Sequence, residues 1–237
     1  MMKTIINKII EENNLKLISL DSKVDFTYYE EKDDFFIFLY YNQNEIVELN
    51  NNEIVDLEYT INTIIVELKK DDNLSEFKQR NLDHNLSLVL LLELENENDE
   101  LRKELNKVEE NSLNAKKYVL PYFKNDVEVL LQKINRTDEI VSQLNKISIE
   151  NSDLLDKPDE SWYRVLMGIF IKTPFLNYQS TEDNQSLENL SLAVEESLSI
   201  REKYLLDAIK DNDFNSFQNI EEYINQQNLT NDTNGEI

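Results

Sequence analysis

Two runs of this chain constrain its fold most. "DFFIFLYY" (Asp34 to Tyr41) and "LSLVLLLELE" (Leu86 to Glu95) are almost continuously apolar, with little of the alternation that marks a strand wet on one side. Such runs suit interior strands covered on both faces. "VDFTYYE" (Val24 to Glu30) precedes the first of them across the polar turn "EKDD", so the pair reads as an antiparallel hairpin. "LKLIS" (Leu15 to Ser19) supplies a further short strand.

The rest of the chain follows a helical period. Ile5, Ile6, Ile9 and Ile10 form one stripe, so residues 2 to 13 read as an amphipathic helix. Ile54, Leu57, Ile61, Ile64, Ile65 and Leu68 follow three- and four-residue steps, which predicts a buried helix face over 53 to 70. The polar stretch "DDNLSEFKQRNLDHN" reads as a loop with a short helix, and Leu101, Leu105 and Val108 mark a charged helix ending near Glu110. Residues 125 to 150 are mainly helical in period. In "KPDESWYRVLMGIF", Pro158, Asp159, Glu160 and Ser161 supply the start of another helix, and Pro174 ends it by disfavouring helical geometry at Thr173. Two more helices are expected at Leu187 to Lys210 and Phe214 to Tyr223, before a polar tail.

These periods predict an α+β fold: a small antiparallel or mixed sheet of three to four strands with helices, followed by a mostly helical C-terminal half. The expected organisation is an α+β region over 1–123, a helical region packed on it over 124–226, and a flexible polar tail over 227–237. A chain of 237 residues with only 2 Gly and 3 Pro has little room for long loops.

Charge and composition narrow the function. Acidic residues outnumber basic ones 48 to 24, for a net charge of -24. Such a body repels phosphate at long range, so autonomous binding to nucleic acid or to an anionic membrane is not expected, while a basic protein partner is. There are no cysteines, so neither disulfides nor thiolate metal sites can form, as suits a reducing cytoplasm. The start, "MMKTIINKIIEENN", turns acidic too early for a signal peptide. The glycines, Gly168 and Gly235, make no phosphate loop, and the single histidine, His84, reads as an exposed loop residue. No cofactor or metal site is expected. One catalytic alternative is a metal-dependent nuclease using Asp56 with the Glu-x-Lys of Glu67 and Lys69, which needs that segment to be a strand. Trp162, Tyr163 and Phe170 read as core rather than as an interface.

"NSLNAKKYVLPYFKND" (Asn111 to Asp126) stands out, because three lysines interleave with aromatics in an acidic chain. Pro121 biases Leu120 away from helix, so the segment reads as extended or turn-like. Aromatic area beside steering charge suits a contact surface. Lys116, Lys117, Tyr118, Tyr122 and Phe123 are therefore the candidate partner-binding residues, and Glu at both 116 and 117 is expected to weaken assembly without unfolding the chain.

"KVEENSLNAKKYVLPYF", with "NLSLVLLLELE" before it and "WYRVLMGIFIKTPF" after it, resembles the middle component (type one) of bacterial ABC-three component systems, including Lamassu-like defence operons. The resemblance covers about residues 1 to 210. It implies a non-enzymatic accessory subunit between an SMC-like ABC ATPase and an effector, often a nuclease, in systems that attack phage or plasmid DNA. A further alternative is an acidic decoy that binds a DNA-binding protein directly.

Overall fold

A computed structural model describes residues 1–178 except 51–52, 55, 135–138, 155–156 and 158–159, together with residue 199. Contacts divide the chain into two compact units, Met1–Gln179 and Ser180–Ile237. The helices expected over Leu187 to Lys210 and Phe214 to Tyr223, the tail, and the Pro158–Asp159 helix start lie outside the described residues.

The first unit is built on a five-stranded mixed sheet in the order β1-β2-β3-β4-β5. The strands are β1 (Lys16–Ser19), β2 (Val24–Tyr28), β3 (Phe35–Asn42), β4 (Leu86–Leu94) and β5 (Lys116–Phe123). The first three form an antiparallel meander, with Val24 opposite Leu39 and Tyr28 opposite Phe35 in the hairpin. Arg80 clamps the connecting turn: its Nη2 donates to the carbonyls of Tyr29, Glu30 and Lys32 at 3.0, 3.2 and 2.8 Å, and its Nε to Asp33. β4 then lies parallel to β3, and β5 parallel to β4. Parallel neighbours need crossovers, and helices supply them: α2 (Gln43–Leu49) and α3 (Leu57–Leu68) before β4, and α4 (Asp99–Glu110) before β5. A 3-10 segment over Asp72–Arg80 completes the first crossover.

The expected α+β class is what the chain forms, but the sheet has five strands rather than three to four. The added strand is β5, the segment read above as extended or turn-like. Its sequence hides the fact because Lys117 and Pro121 interrupt the apolar run.

Alternation along the strands explains the two covering layers. Phe35, Ile37, Leu39, Leu88, Leu90, Leu92 and Val119 face one side and pack with Leu57, Ile61 and Ile65 of α3 and Leu101, Leu105 and Val108 of α4. Phe36, Phe38, Val89, Leu91, Leu120 and Tyr122 face the other. That side is covered by α1 (Met2–Glu12), α5 (Lys124–Lys133), α6 (Ile140–Glu150) and α7 (Ser161–Lys172). β3 and β4 are thus buried on both faces, as their unbroken apolar runs require. The boundary expected at 123/124 falls inside this unit, where β5 passes directly into α5. Gly168 lets α7 lie close on β5, since a Cβ there would come 2.5 Å from Leu120 Cδ1. No helix of the described residues is long and apolar enough to cross a membrane.

Candidate contact site at the ends of the parallel strands

β5 separates the five candidate residues by face and by end. Lys116 is exposed, with its Nζ 5.1 Å from the Tyr118 ring centroid. Lys117 points to the other face and is buried. Its ammonium donates to the carbonyls of Asn111, Leu113 and Ala115 at 2.7, 2.7 and 3.3 Å. Burial lowers its pKa to about 8, with the Glu58 charge opposing that shift and Lys69 adding to it. Lys117 is therefore a structural cation that holds the preceding loop, not a surface contact. Tyr118 is half-buried against the helical layer and Tyr122 is buried in it. Burial, then the charge of Glu93, raises the Tyr122 hydroxyl pKa.

Tyr122 and Phe123 reach the carboxyl end of β5, and there they line a crevice of about 210 Å³. Leu94, the last residue of β4, forms one wall with Leu101 and Leu105 of α4; Pro121 and Val165 continue the apolar lining. Arg102 of α4 and Arg164 of α7 bring two guanidinium groups to it, and Glu97 and Asp126 bring two carboxyl groups. Of the three described arginines, only Arg80 lies elsewhere, held by the hairpin turn.

The first turns of α4, α5 and α7 all open on this crevice. Asn98 caps α4, accepting from the Glu100 and Leu101 amides at 2.9 and 3.0 Å. Asp126, in the first turn of α5, is buried and accepts from Ser161 Oγ at 2.5 Å, which ties the starts of α5 and α7 together. Trp162 Nε1 donates to Glu160 at 2.6 Å, and Lys133 Nζ lies 4.3 Å from the Trp162 ring centroid. The starts of α4, α5 and α7 therefore border the crevice together.

The outer edge of β5 is closed to further strand pairing. Pro121 has no amide hydrogen, and Glu109 accepts from the Val119 amide at 3.4 Å while also contacting Lys172.

The other sequence candidates lie apart from this site. Asp56 is the left-handed N-cap of α3, Glu67 is in its last turn, and Lys69 is its C-cap, ion-paired with Asp83 at 3.1 Å. A helix of 12 residues separates the acids by about 17 Å. The strand-borne Glu-x-Lys that the nuclease alternative needs is a helix, because the apolar stripe from Leu57 to Ile65 faces the sheet. Among the described residues no group of three or more His, Asp or Glu is placed to hold a metal ion. His84 is exposed in a turn. Trp162, Tyr163 and Phe170 are core, as expected, and Tyr163 donates to the Ser148 carbonyl at 2.8 Å.

Sequence reasoning missed Arg102, Asp126, Ser161 and Arg164. They come from three helices far apart in sequence. Ser161 belonged to a stretch that signalled a helix start, and nothing in the sequence signalled that the starts of α4, α5 and α7 converge. No family model, curated protein or solved structure matches this chain.

Proposed function

We propose that this protein is a non-catalytic adaptor that grips a partner protein in the crevice at the carboxyl ends of β4 and β5. The observation that carries this reading is the meeting of Tyr122 and Phe123 with Arg102 and Arg164 around one apolar recess. Aromatic and arginine side chains are the residues that most often anchor protein interfaces, seated in desolvated pockets near the centre. The recess is walled by leucines and valine, and rigid helix starts hold it, so little ordering is needed on binding.

The partners in this proposal are an SMC-like ABC ATPase and an effector nuclease of a bacterial antiphage or antiplasmid system, in the cytoplasm. The resemblance of residues 107–123 and their flanking elements to the middle component of ABC-three component systems supports that identity. The net charge of -24 supports docking on basic protein surfaces. The test is co-purification of the tagged chain expressed with its neighbouring genes, with bound chains identified by intact mass. The expected result is a large ATPase held by the wild type and lost in Phe123→Asp. A folded chain recovered alone under gentle salt would overturn the reading.

A further inference from the structure

A second surface lies at the opposite end of β5. A groove of about 320 Å³ runs between α3 and the loop that leads into β5. Tyr59 is 74% exposed, Leu113 62% and Val66 36%, and all three line it. Scattered exposed apolar residues are ordinary; three large ones on one groove are not. The groove has one charged lining residue, Glu58, in a chain that is 30% charged. Interface centres are depleted of charge in this way.

A further observation is the loop's construction. The Lys117 ammonium binds the carbonyls of Asn111, Leu113 and Ala115, Asn111 Oδ1 accepts from the Leu113 amide at 2.8 Å, and Asn114 takes a left-handed φ of 67°. A buried lysine thus fixes a loop whose leucine points outward. Holding an exposed apolar side chain rigid lowers the entropy lost on binding.

We propose that this groove docks a short amphipathic segment of a partner protein, apolar toward Tyr59, Val66 and Leu113, and flanked by lysine or arginine. The basic flanks follow from charge complementarity. Glu58 borders the groove, Glu110 precedes its loop, and the whole chain carries -24. The proposal rests on the adaptor reading, to which it adds a second face. The eight residues of β5 separate the two faces by about 23 Å, so one chain bridges two partners.

The test needs neither partner. Two synthetic 15-residue amphipathic peptides, identical except for Lys or Glu flanks, are titrated into the methyl-labelled full chain and followed by NMR. The expected result is saturable shifts of the Val66 and Leu113 methyls with the Lys-flanked peptide, and at least tenfold weaker binding of the Glu-flanked one. Leu113→Ser, a surface change, is expected to weaken the Lys-flanked peptide at least tenfold, with the melting curve unchanged. Lys117→Met is expected to broaden the Leu113 signal and weaken binding severalfold. No shifts at Val66 and Leu113, equal binding of both peptides, or full binding by Leu113→Ser would overturn the proposal. Phe123→Asp should leave this titration unchanged, so failure here is distinguishable from failure of the crevice reading.

Discussion

Lys116 and Lys117 are adjacent in sequence and lie on opposite faces of β5, one over the Tyr118 ring in solvent, the other buried in a cage of three carbonyls. Their substitutions should therefore diverge. Lys116→Glu is expected to change stability by less than about 0.5 kcal/mol, as surface changes do. Lys117→Glu places a buried carboxylate against carbonyl oxygens and is expected to cost about 3 kcal/mol or more. Urea denaturation of the two single variants measures this. The sequence reading has the double Glu variant stay folded; with Lys117 buried, that variant is expected to lose stability as well and so to report folding together with contact.

The same lysine sets a pH dependence. Its folded-state pKa, about 8, is below the ordinary lysine value of 10.5. Between those values the unfolded chain binds a proton that the folded chain does not, so Lys117 makes stability rise with pH across that window. The slope is at most about 1.4 kcal/mol per pH unit. Above pH 10 the opposite sign enters, because burial raises the hydroxyls of Tyr40 and Tyr122 and only the unfolded state ionises there. Denaturation of wild type and Lys117→Met from pH 7 to 10 should show the rising component in the wild type alone.

The first helix is fastened at both ends. Glu12 accepts from the Ile140 and Val141 amides at 2.6 and 2.8 Å, capping α6 from outside. Glu12→Ala is expected to cost about 1 kcal/mol, the worth of a helix cap. At the other end Lys3 pairs with the fully buried Asp25 at 3.0 Å, and Ser19 Oγ donates to the same carboxylate at 2.7 Å. Asp25→Ala is expected to cost about 3 kcal/mol, since it strands a partly buried ammonium. Thermal melts of the two variants should separate by that difference.

At the crevice, Ser161→Ala removes the donor to Asp126 and leaves a buried carboxylate short of a partner. It is expected to destabilise by about 1–3 kcal/mol and to loosen the starts of α5 and α7. Amide exchange at Asp126 and Trp162 should quicken, while the β3 amides stay slow.

Legibility in the sequence followed the strength of each periodic signal. The unbroken runs at 34–41 and 86–95 marked β3 and β4 because both faces of those strands are buried. The helix α2 was missed because it buries only Ile46, too little for a stripe, although Asn42 and Glu45 form a reciprocal cap at its start. β5 was missed because an edge strand tolerates Pro121 and because Lys117 is buried by local carbonyls rather than by apolar neighbours. Of the five candidate residues, Tyr122 and Phe123 line the crevice, Lys117 is structural, and Lys116 and Tyr118 lie toward the other end of the strand. Arg102 and Arg164 come together because β5 carries the chain from α4 on one face of the sheet to α5 and α7 on the other, a relation that spacing along the chain does not encode.

On the reading proposed above, partner proteins seat at the carboxyl ends of β4 and β5. Hydrogen–deuterium exchange of the free chain and of the complex co-purified from its own operon tests it most directly. Slowed exchange over 97–102, 122–126 and 161–165 in the complex is the expected result. Unchanged exchange at all three segments, with protection elsewhere, would contradict it.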